Sequence, residues 1–230
     1  VLTLMVEGFD LQTANLAGPS IMADFGITRA QLGPLLSASL FGILVGATLL
    51  APLGDRFGRK RVVVIASAAY GLLSLIAAAA WTVEQLAILR FLIGIGLGVV
   101  MPNGLAMAGA MYEGRRHASA TAFAGIGITL GGAVAGVTAA RVLPQYHWQG
   151  LFVVGGILPL LIAAIVAMAL RDASPARGAE ATPRATLAVI LAPSIRVTTL
   201  IVWLMFVFIA LNIHLLASWI PLLMKGSGLS

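Results

Sequence analysis

The residues of this 230-residue chain best placed to do chemistry are ionisable groups embedded in apolar sequence. Glu7 and Asp10 stand three positions apart in Glu7-Gly8-Phe9-Asp10-Leu11-Gln12. A helix turning about 100° per residue puts them about 60° apart, on one face. Charge at membrane depth is costly, so such groups turn toward a protein interior or a water-filled cavity and mark proton or substrate paths. A carboxyl removed from water holds its proton more readily and can exchange it near neutral pH. Glu7 has a second reading, as a hydrated group at the membrane surface near the start of the chain.

Arg90 is the cationic counterpart. Its setting, Ile88-Leu89-Arg90-Phe91-Leu92-Ile93-Gly94-Ile95-Gly96-Leu97-Gly98, supplies no local counter-charge. The guanidinium could bind a substrate carboxylate, couple to the acids, or snorkel to the outer interface. Counted from the helix ends at about 1.5 Å per residue, Arg90 lies about 10 Å and Asp10 about 20 Å below the outer surface, an offset that leaves a direct pair undecided. Gly94 and Gly98 continue the Arg90 stripe at four-residue spacing and would let a neighbouring helix approach closely.

A third constellation is Ala51-Pro52-Leu53-Gly54-Asp55-Arg56-Phe57-Gly58-Arg59-Lys60-Arg61, a short turn between apolar runs. Topology alone accounts for a basic turn. It does not account for Asp55 and Gly58 within it. Gly54, Asp55, Arg56, Gly58, Arg59 and Lys60 suit a latch whose charges grip a neighbouring helix end in one conformation and release it in another. Gly125, Gly127, Gly131, Gly132 and Gly136 form a small-residue face for packing, while Asn212 and His214, beside Trp219, read as an interfacial group. Tyr70 and Phe123 could stack on a ring but read first as core.

The elements that must position these groups are transmembrane helices. Sixty per cent of residues are apolar, 10% are charged and the mean hydropathy is +1.03, far from a soluble domain. Apolar runs cover Val1 to Ala23, Leu32 to Leu53, Val62 to Trp81, Val83 to Met111, Ala118 to Val142, Leu151 to Leu170 and Val197 to Leu216. Seven spans are therefore expected, the first shortened at its amino end. The net charge of +6 forms no extended basic face, so no nucleic-acid partner is implied. Arg56, Arg59, Lys60, Arg61, Arg115, Arg116, Arg171, Arg177, Arg184 and Arg196 fall in the even-numbered connections, against Arg29, Arg141 and Lys225 on the other side. That bias puts the even connections in the cytoplasm. The segment 171–196, with three prolines, reads as a cytoplasmic linker between a bundle at 1–170 and the start of a second at 197–230. Cysteine is absent, and the three histidines are scattered. No phosphate-binding loop, metalloprotease or serine-hydrolase motif occurs, which argues against an enzyme.

Gly54 to Arg61, at the second-to-third turn, resembles the signature of the major facilitator superfamily, with Ala51-Pro52 where that motif usually begins with Gly. Arg90 with Gly94 and Gly98 is similar to the superfamily's fourth-span motif, whose Arg is associated with proton coupling. Within the superfamily, Glu7 to Gln12 resembles the first-span signature of the aromatic acid:proton symporters, with Glu where most members carry Asp. Trp219-Ile220-Pro221-Leu222-Leu223 and Pro102-Asn103 look like the branch of hydroxyphenylpropionate transporters. Gly131-Gly132 stands where proton-driven drug antiporters have Gly-Pro.

The resemblance implies an all-α polytopic fold, a six-helix amino-terminal bundle plus the first helix of a second. It implies a symporter of small aromatic carboxylates in the bacterial cytoplasmic membrane, with the proton as coupling ion and no cofactor or metal. Asp10 and Glu7 would take protons, and Arg90 would attract the substrate anion or couple to the acids. The site would lie near mid-membrane, and rocking of two halves would give alternating access. The competing expectations are a carrier of an aliphatic carboxylate or sugar from another branch, or a transporter-like sensor.

Overall fold

The computed structural model describes residues 1–110, 115–169 and 192–226. Among them there is no strand. The helices are α1 (Leu2–Phe25), α2 (Arg29–Val45) running on into a π-helical turn (Gly46–Leu50), α3 (Leu53–Phe57), α4 (Arg59–Ala77), α5 (Val83–Ala110), α6 (Arg115–Ala169) and α7 (Arg196–Gly226). An all-helical chain is what lipid demands, because a helix satisfies its own backbone groups where no water can. Among the described residues, five helical stretches are long and apolar enough to cross a membrane: Arg29–Leu50, Arg59–Ala77, Val83–Ala110, His117–Ala169 and Arg196–Ile213. The fourth has 53 residues, enough for two crossings at about 20 residues each. It breaks at His147, whose φ of 51° and ψ of −160° are not helical. α1 has the length, 24 residues, but its acidic and amide side chains keep it out of that group.

Helix ends differ from the sequence expectation in three places. The loop after the second run contains α3, and α4 begins at Arg59, separated from it only by Gly58 at φ 93°. The fifth and sixth runs join through Pro144, with the break three residues later. The seventh helix continues through Pro221 to Gly226. Proline also sits inside α1, α2 and α5, at Pro19, Pro34 and Pro102. Rules that end helices at proline come from water. In a membrane bundle, neighbouring helices and local adjustments tolerate the lost hydrogen bond.

The chain divides into two compact units, Val1–Ala173 and Ser174–Ser230. In the first, α1 packs chiefly on α6, α2 on α5, and α4 on both α5 and α6. Glycine sets the two closest crossings. A Cβ on Gly94 or Gly98 would overlap the carbonyl of Ser39 or Ile43 on α2, and one on Gly42 or Gly46 would overlap α5 backbone in return. On the α1–α6 side, a Cβ on Gly8 would strike the carbonyl of Ile128, and one on Gly131 that of Met5. Gly132 faces Gln12, whereas Gly125 and Gly136 face open space, so only part of the α6 glycine face is used in contact. Trp148, Tyr70, Phe9 and Phe152 fill the core; Phe123 is exposed. In the second unit the described side chains of α7 are exposed or half-buried, and Asn212 donates to the carbonyl of Phe208 at 2.9 Å. The His214 side chain and residues 171–191 of the expected linker lie outside the described residues.

Candidate functional site

α1 presents Glu7 and Asp10 to the interior, 1% and 0% exposed, and α5 presents Arg90, 2% exposed. Arg90 Nη1 donates to Asp10 Oδ2 at 3.0 Å. Its Nη2 donates to Ser39 Oγ on α2 at 3.2 Å, and its Cζ lies 5.7 Å from the centroid of Phe152 on α6. One guanidinium thus ties four helices together. Phe152 is itself held by Ser74 on α4, whose Oγ donates to the Phe152 carbonyl at 2.9 Å. Gly155 lies beside the pair, where an added Cβ would stand 3.7 Å from Asp10 Oδ1.

The direct pair answers what the depth reckoning left open, since that reckoning assumed that α1 and α5 end at the same level. It also sets aside snorkelling for Arg90 and surface hydration for Glu7, since both side chains are buried. Satisfaction is incomplete. Asp10 Oδ1, Arg90 Nε and both Glu7 carboxyl oxygens are buried without a hydrogen-bond partner. A buried pair repays its desolvation only when geometry is good and the remaining lone pairs and protons are bonded. The cluster thus pairs Asp10 with Arg90 and leaves four buried polar atoms unbonded.

The turn constellation lies elsewhere and is built differently. Asp55 Oδ1 accepts from Arg59 Nη2 at 3.0 Å and from Nε at 3.2 Å, with side chains 68% and 40% exposed. Arg56 is exposed too, and Lys60 half-buried. Gly54 is buried against Asn103 of α5, leaving no room for a Cβ. Asn103 Nδ2 donates to the carbonyls of Ala51, at 3.1 Å, and Val99, at 2.9 Å, and so pins the start of the turn to α5.

Sequence reasoning did not find Ser39, Phe152 or Asp24. Ser39 had a signal: with Leu32, Leu35, Gly42 and Gly46 it follows a three-and-four spacing that marks one buried face of α2. Asp24 accepts from Trp148 Nε1 at 2.8 Å and from Gln149 Nε2 at 3.2 Å, joining the end of α1 to the residues just after the His147 break. No cluster of three or more His, Cys, Asp or Glu suited to a metal occurs among the described residues.

The sequence profile described as Major Facilitator Superfamily matches residues 1–230, the whole chain. The chain belongs to the Major Facilitator Superfamily. It is an integral membrane protein. Among its relatives, the 4-hydroxybenzoate transporter PcaK of Pseudomonas putida is 34% identical, over 100% of this chain and 58% of the relative. The 3-(3-hydroxy-phenyl)propionate transporter of Escherichia coli is 33% identical, over 99% and 56%. The gallate transporter of Pseudomonas putida is 30% identical, over 100% and 58%. The chain therefore spans somewhat more than half the length of these superfamily relatives.

Proposed function

We propose that the full-length protein is a proton-coupled symporter of small aromatic carboxylates, such as hydroxybenzoate or hydroxyphenylpropionate, in the bacterial cytoplasmic membrane. The observation that carries this reading is the buried Asp10–Arg90 pair with the partnerless Glu7 carboxyl three residues away on the same helix. The names of the relatives support the substrate class, because each describes an aromatic acid. A proton taken up by Asp10 removes the negative charge that holds Arg90. The guanidinium, still bonded to Ser39 and stacked near Phe152, then has donors to offer a substrate carboxylate, and planar bidentate pairing is the geometry Arg favours. Loss of the proton restores the internal pair and displaces the anion. Glu7 serves as a second carboxyl through which the proton reaches or leaves Asp10.

In this reading the even-numbered connections face the cytoplasm, 1–170 is the amino-terminal bundle, 171–196 the linker and 197–230 the start of the second bundle. The turn carrying Asp55, Arg56 and Arg59 biases the inward gate. Uptake of radiolabelled 4-hydroxybenzoate into proteoliposomes of the full-length protein tests the proposal. An imposed proton gradient should drive accumulation, a protonophore should collapse it, and Asp10→Asn should abolish it. Accumulation that ignores the gradient rejects the coupling.

A further inference from the structure

A line of side-chain contacts leads from the sealed pair to the far end of α1. Arg90 Cζ lies over the ring of Phe152, 5.7 Å from its centroid. Trp148, one turn earlier on α6, meets that ring edge-on, with centroids 5.5 Å apart and planes at 90°. The Trp148 indole also leans on Phe25 of α1, at 5.6 Å and 41°, and its Nε1 donates to Asp24 Oδ2 at 2.8 Å. Trp148 and Phe152 are fully buried, whereas Asp24 is at the surface. We infer that Trp148 is a positioning residue for Arg90: oriented by Asp24, it holds the Phe152 ring against the guanidinium that receives the substrate carboxylate. The receiving role of Arg90 rests on the function proposed above, whereas its positioning does not.

Arg90 needs such support. Its Nε is buried without a hydrogen-bond partner, and the bond to Asp10 is the one that proton uptake would release. Ser39 and the Phe152 ring then hold the guanidinium. A cation is attracted to the face of a ring and not to its edge, so the orientation of Phe152 matters as much as its distance. The Ser74 bond to the Phe152 carbonyl fixes the main chain there and leaves the side-chain torsions to be set by packing. Trp148 supplies that packing in a favoured edge-to-face geometry, and its own indole is restrained by a charge-assisted hydrogen bond. Trp148 also follows directly on the break in α6. His147, at φ 51° and ψ −160°, is the one non-glycine residue of positive φ among the described residues. A backbone conformation of that kind persists where surrounding contacts fix it. Asp24 fixes both residues after the break, since Gln149 Nε2 donates to the same oxygen at 3.2 Å. Asp10 and Asp24 stand about 21 Å apart along α1, so one helix carries the acid of the ion pair and the acid that anchors the aromatic side chains.

Kinetics of 4-hydroxybenzoate uptake by the full-length protein in proteoliposomes, joined to NMR of the same protein labelled with 15N-arginine, test this. Asp24→Leu removes the acceptor at a surface position and should raise KM about three- to tenfold, with kcat per folded protein changed less than about twofold. Trp148→Phe keeps a ring, loses the donor and should raise KM as far. Asp24→Asn removes the charge, keeps an accepting oxygen and should hold KM within about twofold of the wild type. Trp81→Leu, at a tryptophan 86% exposed, should change neither constant. A fall in kcat with KM unchanged marks a packing role alone and overturns the proposal, as does an Asp24→Asn as impaired as Asp24→Leu. The Arg90 Nε–H signal, assigned by its loss in Arg90→Met, needs no transport. Asp24→Leu and Trp148→Phe should shift it, and Trp81→Leu should not. A signal that Asp24→Leu leaves in place overturns the positioning whether or not Trp148→Phe folds. A shifted signal in a protein that takes up no aromatic acid upholds the positioning while the proposed function fails, so the two readings fail separately.

Discussion

The Asp10–Arg90 and Asp55–Arg59 pairs have the same length, 3.0 Å, and opposite surroundings. Asp10 and Arg90 are sealed from solvent and come from helices 80 residues apart in sequence. Asp55 and Arg59 are largely exposed and lie one turn apart. Distance therefore says little about what an ion pair contributes. In the sealed site neither partner can fall back on water, so each depends on the other. At the turn, water and salt replace either partner at little cost. The sealed pair fixes the packing of four helices and can switch only if a charge is removed. The exposed pair can open and close without disturbing the fold.

Breaking the sealed pair from one side should give the largest effect. Arg90→Ala leaves a buried, uncompensated Asp10 and should destabilise the full-length protein by about 3–5 kcal/mol. The double change Asp10→Asn with Arg90→Met removes both charges and should recover most of that loss. Chemical unfolding in detergent measures both. Transport should be absent in each, so stability and function part company in the double variant. A single variant costing less than about 1 kcal/mol would place the pair in the same class as the exposed one and dissolve the contrast.

A smaller effect should come from the helix crossing that delivers Ser39 to Arg90. Gly94→Ala pushes a methyl into the Ser39 carbonyl and should cost about 1–3 kcal/mol, as overpacking does. Gly136→Ala, on the same kind of glycine-rich surface but facing open space, should be neutral or slightly stabilising, because Ala is the better helix residue. Unfolding midpoints of the two variants give opposite signs if close approach, and not glycine content, supports the sealed site. Equal midpoints would remove the crossing from the account of how Arg90 is positioned.

The contrast also explains what could be read in advance. Glu7, Asp10 and Arg90 stood out because ionisable residues in apolar sequence are rare, and the turn stood out because its charges and glycines are adjacent in sequence. The Asp55–Arg59 pair is local, so its spacing nearly dictates it. The Asp10–Arg90 pair is not local. It depends on how far α1 and α5 slide past each other, which is set by the glycine contacts of α2 with α5 and of α1 with α6, and no single helix encodes that register. Phe152 is one aromatic among several in apolar sequence, and only the packing puts it beside Arg90. Asp24 stands at the end of α1 with no acid or base near it in sequence to single it out, and only the break at His147 brings Trp148 to it.

The exposed pair should show the smallest effect on stability and a separate effect on transport. Asp55→Asn removes one exposed charge whose partner is hydrated, so the unfolding free energy should change by about 0–1 kcal/mol. The helices meet here through Gly54 and Asn103, which the substitution does not touch. If the turn biases the inward gate, uptake should nonetheless fall severalfold in Asp55→Asn, and raised salt should reproduce part of that fall in the wild type by screening the pair. Paired measurements of unfolding and uptake on the same preparations separate the cases. Unchanged uptake reduces the turn to an orientation signal. A stability loss as large as that of Arg90→Ala makes it a structural clamp, and only a stable variant with slowed uptake keeps it as a gate.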